Sequence, residues 1–558
     1  MRLPRTGARS GRRVVSLLAA GALAVVASGC ADSERAASGD SSSGSSEASG
    51  GSFVFAGSAE PVTLDPFYAS DGESFRVARQ IFEGLVGTKP GTADPAPLLA
   101  ESWETSADGL TTTFQLRDGV TFSDDTEFNA EAVCFNFDRW YNTPTGIAQS
   151  EDLSYYYGKI FRGFAEGKST DGIYESCEAT GDLEAVVTLN APFAGFIAAL
   201  SLPAFSMQSP TALEKYPVPE GTDPRKGDYA NDYPTGTGPF VLDAWDKGSK
   251  VTLARNDAYW GEPAKVDEAV VVAIADPGAR RDALISGDVD GFDLVGPADL
   301  TALADEGMTI VNRPAFNVLY LGFNQATEPL DDIKVREAIA HAVNKEEVVS
   351  ASLPEGTTPA NQFMPDLVNG YAEDVPTYEY DPELAKQMLA DAGQSDLTLE
   401  FNYPTEISRP YMPSPEATFN VLRTQLEAVG ITIKPTADQW EDYLGVTTGT
   451  TKHGIHLLGW TGDYNDADNF LGVFFGTETM EWGFDNPELF KELTEARGLT
   501  TVADQTEAYT KISADVMEFL PGIPLASPVP SLAFSPSVEG YQASPVQDEV
   551  WSSVTVSE

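Results

Sequence analysis

A strand–helix–strand unit between residues 397 and 434 limits the possible folds more than any other feature of the chain. Residues 397–403 are predicted as a strand, and residues 417–429 carry four large apolar side chains on one helical face. Gly430 ends that helix, and residues 431–434 return as a second strand. Two strands joined through a helix run parallel, so at least part of the sheet is parallel.

Strand-like and helix-like segments alternate through the rest of the chain, which predicts a mixed α/β fold. Roughly 500 residues follow the N-terminal region, too many for one compact core, so two or three subdomains are expected. The other predicted elements are strands at 53–55 and 112–116 and helices at 130–140, 331–344 and 381–393.

The N-terminus has the parts of an exported lipoprotein's signal. A segment with five arginines and no acid precedes an apolar run at 14–27, and small residues lead to Cys30. A basic start, a short apolar segment and small residues before the cut are typical of secretory signals. Cysteine in this place resembles a lipobox, where the chain is cut before the cysteine and a lipid is attached. We therefore predict a signal peptide at 1–29 and lipid attachment at Cys30.

An uncleaved membrane helix is the alternative, because residues 14–31 are uncharged and just reach the length that spans a bilayer. The cysteine at the processing position favours the lipoprotein. Residues 31–52 are mostly serine, glycine and alanine, so 30–52 is predicted as a lipidated cysteine followed by a flexible linker. The folded part is thus expected outside the cytoplasm, anchored to the cell membrane, with general and twin-arginine export both open.

Charge and cysteine content narrow the partners and the compartment. The formal net charge of −50 repels nucleic acid and anionic lipid, so neither is an expected partner. With Cys30 lipidated, Cys134 and Cys177 remain as an even pair in an oxidising compartment. A disulfide between them is the economical prediction, and two buried free thiols are the alternative.

No constellation of catalytic residues is found in the sequence. The nucleophile elbow and the two-histidine zinc motif are absent, and the glycine run at 235–239 lacks the Lys-Ser/Thr of a phosphate loop. Of the three histidines, His341 lies in the middle of a predicted helix, as a packed or surface residue, and His453 and His456 have no carboxylate or thiol at metal-ligand spacing. These observations favour a binding protein without cofactor or metal over an enzyme. An extracellular hydrolase remains a disfavoured alternative.

Several segments, in this order and spacing, resemble the extracellular solute-binding proteins of peptide ABC importers (family 5). The resemblance covers the chain from about residue 53 to its end. It implies an α/β, two-lobed, hinged periplasmic-binding-protein-like fold with an additional third domain (type II, cluster C-like). The matching segments are 59–67, 114–122, 128–130, 234–240, 256–261, 317–324, 330–345 and 482–487.

Two segments resemble the dipeptide-binding branch more specifically: 408–415, SRPYMPSP, and 459–470, GWTGDYNDADNF, which is preceded by 438–444, DQWEDYL. By that resemblance, Arg409 pairs with the peptide's carboxylate and Asp463 with its amino group, while Trp460 walls the pocket. Arginine offers a planar fork for a carboxylate, and aspartate accepts from an ammonium. The structural alternatives are a surface ion pair for Arg409 and a turn-forming role for Asp463. Met412 departs from the polar residue expected in the first segment.

The resemblance also implies a domain plan and a set of partners. Lobe I would comprise 53–85, 205–310 and 522–558, the extra domain 86–204, and lobe II 311–521. The expected function is capture of dipeptides or short oligopeptides and their delivery to an ABC permease and its ATPase subunits, by a lipid-anchored monomer. The alternatives are another solute, such as an oligosaccharide or a metal chelate, or a sensor without a transport role.

Overall fold

The computed structural model describes residues 50–150, 152–167, 172–219 and 221–557. The predicted signal peptide, Cys30 and nearly all of the predicted linker lie outside these residues. Within the described ranges, no helix is both long enough and apolar enough to cross a membrane.

The described strands form three larger sheets and two small ribbons. In chain order they are β1 (Ser52–Gly57), β2 (Val86–Thr88), β3 (Pro95–Pro97), β4 (Ala100–Thr105), β5 (Thr111–Leu116), β6 (Tyr174–Gly181), β7 (Glu184–Leu189), β8 (Phe240–Asp246), β9 (Lys250–Arg255), β10 (Glu268–Ala273), β11 (Gly291–Phe292), β12 (Thr309–Asn312), β13 (Asn317–Phe323), β14 (Thr358–Pro359), β15 (Thr398–Thr405), β16 (Thr432–Gln439), β17 (Ile455–Thr461), β18 (Gly522–Ser527), β19 (Ser531–Phe534), β20 (Val538–Glu539) and β21 (Thr555–Val556).

Helices alternate with these strands along most of the chain. The α-helices are α1 (Gly72–Ile81), α2 (Ala130–Tyr141), α3 (Tyr155–Ile160), α4 (Phe196–Ala199), α5 (Pro210–Lys215), α6 (Asp228–Asp232), α7 (Pro277–Ser286), α8 (Pro297–Asp305), α9 (Ile333–Ala342), α10 (Lys345–Ser352), α11 (Pro382–Asp391), α12 (Pro415–Ala428), α13 (Trp440–Thr447), α14 (Leu471–Phe475), α15 (Pro487–Arg497) and α16 (Val502–Phe519). Short 3₁₀ helices occur at Pro66–Tyr68, Ile147–Gln149, Pro203–Phe205, Pro224–Lys226, Ala467–Asn469 and Trp551–Ser553.

A seven-stranded sheet in the order β12-β19-β11-β1-β10-β9-β8 forms the first lobe. Its strands come from distant parts of the chain, and β1 pairs in parallel with β10 and β11. Phe53 and Phe55 of β1 are fully buried and pack on Trp551 near the C-terminus. The aromatic contacts show why the first and last parts of the described chain share one core.

A six-stranded sheet in the order β14-β18-β13-β17-β15-β16 forms the second lobe. Strand β15 pairs in parallel with both β16 and β17, and helix α12 connects β15 to β16. Phe419, Leu422 and Leu426 of that helix are buried in the lobe's core. The strand–helix–strand unit predicted from the sequence is therefore confirmed.

A four-stranded antiparallel sheet in the order β4-β5-β7-β6 forms the extra domain, with α2 packed against it. The side chain of Asn129 accepts a hydrogen bond from the Ala132 amide and so caps α2. A disulfide joins Cys134 of α2 to Cys177 of β6, with the two Cα atoms 5.1 Å apart. These are the two cysteines that the sequence analysis pairs.

The chain passes between the two large sheets twice, at 313–316 and at 528–530. Strand β18 pairs with β13 and thus belongs to the second sheet, which differs from the prediction that 522–558 is part of lobe I. All six residues of β18 are buried, and a short buried run does not reveal which sheet it joins. The helix predicted at 331–344 is confirmed as α9, which spans Ile333–Ala342, and Asn344 caps the start of the next helix, α10.

Candidate functional site

Three neighbouring strands of the second lobe end at the same edge of the sheet. Strands β17, β15 and β16 lie side by side and run parallel. Asp463, Arg409 and Trp440 follow their C-terminal ends within a few residues. Ligands of open α/β sheets bind outside the carboxyl ends of the strands, so this edge is the candidate site.

Asp463 is held by an amide side chain from the turn that follows it. Asn469 Nδ2 donates to Asp463 Oδ2 at 3.0 Å, and the Asp463 backbone amide donates to Asn469 Oδ1 at 2.8 Å. Trp460 Nε1 also lies 3.4 Å from Asn469 Oδ1. The amide of Asn469 thus fixes the orientation of the carboxylate and joins it to the indole.

The second partner of Asp463 comes from the extra domain. Tyr156, on α3, donates its hydroxyl hydrogen to Asp463 Oδ1 at 2.9 Å, across 307 positions of the chain. Phe75 of α1 packs against the Tyr156 ring, with the centroids 5.6 Å apart. Asp463 therefore faces a wall built from the extra domain and from α1.

The Asp463 carboxyl has lost most of its hydration. Burial raises its pKa from 3.8 to about 6, while hydrogen bonds from Asn469 and Tyr156 and the charge of Arg79 act in the opposite direction. The Arg79 guanidinium is itself engaged, with Nε 3.4 Å from Asp548 Oδ1 and Nη2 3.3 Å from the Val546 carbonyl oxygen. A desolvated carboxylate in this state gains from a cationic group that replaces the lost water.

Arg409 lies in a tight loop after β15. Its backbone exchanges two hydrogen bonds with Met412, at 3.1 and 2.9 Å. The guanidinium carbon lies 4.4 Å from the centroid of the Trp440 ring. Within the part of the chain that the structure describes, Arg409 Nε and the neighbouring Ser408 Oγ are buried without a hydrogen-bond partner. The loop therefore presents a stacked cation with unused donor capacity at the strand edge.

Met412 and Tyr411 explain how that loop is held in place. Met412 is fully buried in the core of the second lobe, which accounts for an apolar residue where a polar one was expected. A Cβ atom added to Gly459 would lie 2.4 Å from the ring of Tyr411. The loop thus packs directly on β17, and the glycine of β17 leaves the space for it.

Trp460 lies on β17, half-buried, with its ring in edge contact with Phe474 at a centroid distance of 6.4 Å. Its side chain lies on the opposite face of the strand from Gly459 and Tyr411, because successive residues of a strand alternate. The structure thus places Trp460 beside the Asp463 turn through Asn469, while the Arg409 loop covers the other face.

Four residues of this arrangement were not singled out by the sequence analysis. Asn469 lies in the segment 459–470 that carries the dipeptide-branch resemblance, and Trp440 lies in the segment 438–444 before it, so both carried a signal. Tyr156 and Arg79 carried none, because only the folded chain brings them close to Asp463.

The histidines lie away from this edge. His456 Nε2 is 3.1 Å from Glu481 Oε1, and Tyr320 donates to the same oxygen at 2.7 Å. His453 is buried, and burial lowers its pKa to about 3. His341 Nδ1 lies 2.7 Å from the backbone oxygen of Glu379. No group of three or more His, Cys, Asp or Glu that could hold a metal ion occurs among the described residues.

Comparison with known proteins gives consistent matches along the chain. Residues 94–482 match the family described as bacterial extracellular solute-binding proteins, family 5 Middle. The heme-binding protein A of Haemophilus influenzae is 29% identical over 560 residues, which cover 98% of this chain and 99% of the relative. The dipeptide-binding protein of Escherichia coli is 29% identical over 526 residues, which cover 90% and 94%.

A solved structure shows the same fold. The periplasmic binding protein DppA from Helicobacter pylori, in complex with the peptide STSA, superimposes with a TM-score of 0.75 at 26% identity. The match covers 91% of this chain and 99% of that protein.

Proposed function

Because the chain belongs to the bacterial extracellular solute-binding proteins of family 5, we propose that it captures dipeptides or short oligopeptides and delivers them to an ABC permease. The proposal makes it a binding protein rather than an enzyme. Relatives named for dipeptide and di/tripeptide binding support the ligand class. A structural neighbour in complex with a peptide supports it further.

The observation that carries the proposal is the pair of opposite charges at one strand edge. Asp463 is a desolvated carboxylate, and Arg409 is a guanidinium whose Nε has no hydrogen-bond partner in the described ranges. A free peptide is a zwitterion, so its ammonium would pair with Asp463 and its carboxylate with Arg409. At an effective dielectric near 20, an ion pair at 4 Å gains about 4 kcal/mol before desolvation. A site that binds the ammonium and the carboxylate at the same time would select peptides by their length.

The proposal also places the protein outside the cytoplasm, anchored to the cell membrane by a lipid. Export through the signal at 1–29 and lipid attachment at Cys30 would hold the binding domain near its permease. A tether raises the effective concentration of cargo-loaded protein at the membrane. We expect Cys30→Ser to move the protein from the membrane fraction to the soluble fraction of the cells that make it. Retention of the variant in the membrane would contradict the lipid anchor.

Calorimetry with a panel of ligands tests the ligand class. Dipeptides and tripeptides should bind, while single amino acids should bind weakly because they cannot span the two charges. Heme belongs in the panel because one relative is named for it. Binding of heme but of no peptide would refute the proposal.

Two variants test the site. Asp463→Asn should abolish most of the affinity, since it removes the charge that receives the ammonium. Asp442→Asn removes the same charge from an exposed position on α13, near Trp440, and is the matched control. Equal affinities of the two variants would contradict the assignment of Asp463.

A further inference from the structure

Arg497, at the C-terminal end of α15, connects the second lobe to the extra domain outside the candidate site. Its Nη1 donates to Asp468 Oδ2 within the second lobe. Its Nη2 donates to the backbone oxygen of Ile160 in the extra domain at 2.7 Å. The guanidinium carbon also lies 4.1 Å from the ring centroid of Phe193, again in the extra domain. One buried side chain therefore bridges two bodies of the molecule.

On the second-lobe side, Arg497 is linked to the candidate site through one turn. Asp468 belongs to the 3₁₀ helix Ala467–Asn469, and its Oδ1 accepts a hydrogen bond from Tyr509 at 2.9 Å. The next residue is Asn469, which holds the carboxylate of Asp463. The same turn thus carries both the anchor of Arg497 and the support of Asp463.

On the extra-domain side, the contact is with the end of a helix. Ile160 is the last residue of α3, where backbone oxygens lack partners within the helix and carry partial negative charge. A guanidinium satisfies that oxygen and complements the charge. At the other end of α3, Tyr156 donates to Asp463. The second lobe therefore holds this helix at both ends.

Neighbouring contacts show that the two surfaces fit tightly. Tyr464 is buried among the core residues of the extra domain, although it follows Asp463 in the chain. A Cβ atom at Gly195 would lie 2.1 Å from Asp466 Oδ2, so only glycine permits this approach. Disturbing the bridge would therefore loosen an interface that includes a support of the candidate site.

We propose that Arg497 is a latch, a positioning residue that keeps the extra domain on the second lobe and thereby slows the release of ligand without touching it. The inference rests on the proposed function for its ligand and on the contacts above for its geometry. A residue that stabilises the contact between the extra domain and the second lobe without touching the ligand changes the dissociation rate of every ligand by a common factor. The preference for ligands with a free amino group should therefore depend on Asp463 and not on Arg497.

Arg497→Lys is the decisive variant, because lysine keeps the charge beside Asp468 but cannot fork to Ile160 and stack on Phe193. Stopped-flow measurements with a dipeptide should show release about tenfold faster, as expected for the loss of a charged hydrogen bond. The association rate and the discrimination between free and N-acetylated dipeptide should be those of the wild type. Arg423→Lys, which loses a stack on Phe419 within the second lobe, is the control.

Two further measurements keep the test independent of folding defects and of the ligand. Phe193→Leu removes the stack from the other side, and combined with Arg497→Lys it should add less than the sum of the single effects. In ligand-free protein, hydrogen exchange of the amides at 156–161 should be faster in Arg497→Lys than in Arg423→Lys.

These measurements distinguish a failure of the role proposed for Arg497 from a failure of the proposed peptide binding. If wild type binds no peptide, the proposed function fails, and the hydrogen-exchange comparison still decides the latch. Wild-type release rates and wild-type exchange in Arg497→Lys would overturn the latch while leaving peptide binding intact.

Discussion

The arginines and acids of the first lobe are paired with one another, whereas those of the candidate site are not. In the first lobe, Arg76 Nη2 lies 2.5 Å from Asp293 Oδ2, and Arg76 Nε lies 3.0 Å from Glu73 Oε2. Arg313 pairs with Glu549 in the same buried region. At the candidate site, Asp463 has only neutral hydrogen-bond partners among the described residues, and Arg409 stacks on an indole with no partner there for its Nε.

The pKa directions of the two acids follow from this difference. Burial acts to raise the pKa of both carboxyls, but Arg76 and Arg313 hold the pKa of Asp293 below its ordinary value. The weaker opposition at Asp463 leaves its pKa raised to about 6. Removing one partner of a buried ion pair leaves an uncompensated charge and destabilises the fold, whereas a charge without an ionic partner in the fold retains the capacity to bind a charged ligand.

The largest expected effect is loss of stability in the first lobe. Arg76→Met leaves buried Glu73 without its cation and leaves Asp293 with Arg313, whose Nη1 lies 3.5 Å from Asp293 Oδ2. The substitution should lower the free energy of unfolding by about 3 kcal/mol. Urea denaturation followed by circular dichroism measures it. At a temperature where the variant is folded, its affinity for peptide should equal that of the wild type. A stability loss below 1 kcal/mol would contradict the view that the ion pairs of the first lobe, unlike the charges of the candidate site, serve stability.

Asp463→Asn should lower the affinity for peptide without a loss of stability, the reverse of what is expected for Arg76→Met. Removing the charge that receives the ammonium should weaken binding by about 2 kcal/mol, roughly thirtyfold. Unfolding of the ligand-free variant at pH 7 should need at least as much urea as the wild type, since asparagine carries no charge to desolvate. A variant that loses stability and affinity together would indicate a structural role for Asp463.

The same carboxyl predicts a pH dependence. Its folded pKa of about 6 exceeds the ordinary value of 3.8, so its stabilising contribution is complete below the ordinary value and is lost as the pH rises through about 6. Between pH 4 and pH 7 the wild type should lose about 2 kcal/mol of stability relative to Asp463→Asn. Peptide affinity should run the other way and fall as the pH drops below about 6. Identical stability profiles of the two proteins would contradict a raised pKa.

The smallest expected effect concerns the stacked cation. Arg409→Lys keeps the charge but loses the planar fork and part of the stacking on Trp440, so affinity should fall by about 1 kcal/mol, roughly fivefold. Calorimetry with a dipeptide measures the change, and the same dipeptide with an amidated C-terminus should show no difference between the two proteins. A difference that persists with the amide would assign Arg409 to another part of the ligand.

Local sequence patterns were enough to predict the elements that carry the site. The parallel unit from β15 to β16 follows from apolar spacing on α12 and from Gly430, which adopts a positive φ of 96° at the end of that helix. Its strand directions place the ends of β15 and β16 at one edge. The loop around Arg409 could be located by resemblance, but its packing depends on Tyr411 meeting Gly459, which no local pattern reveals.

Apart from the Cys134–Cys177 disulfide, contacts between distant segments could not be predicted from the sequence. The pairing of Tyr156 with Asp463 depends on the docking of one domain on another. The placement of β18 in the second sheet depends on hydrogen bonds to β13, and a buried apolar strand fits either sheet. Both features are set by long-range contacts, whereas caps, periodicity and turn residues report only on neighbours in the chain.

The central claim is that two unpaired charges at one strand edge read the two ends of a peptide. Calorimetry of the wild-type protein with one dipeptide in free, N-acetylated and C-amidated forms tests it most directly. The free form should bind, and each cap should weaken binding by at least 1.4 kcal/mol, a factor of ten. Equal binding of all three forms would show that the charged ends are not what this site recognises.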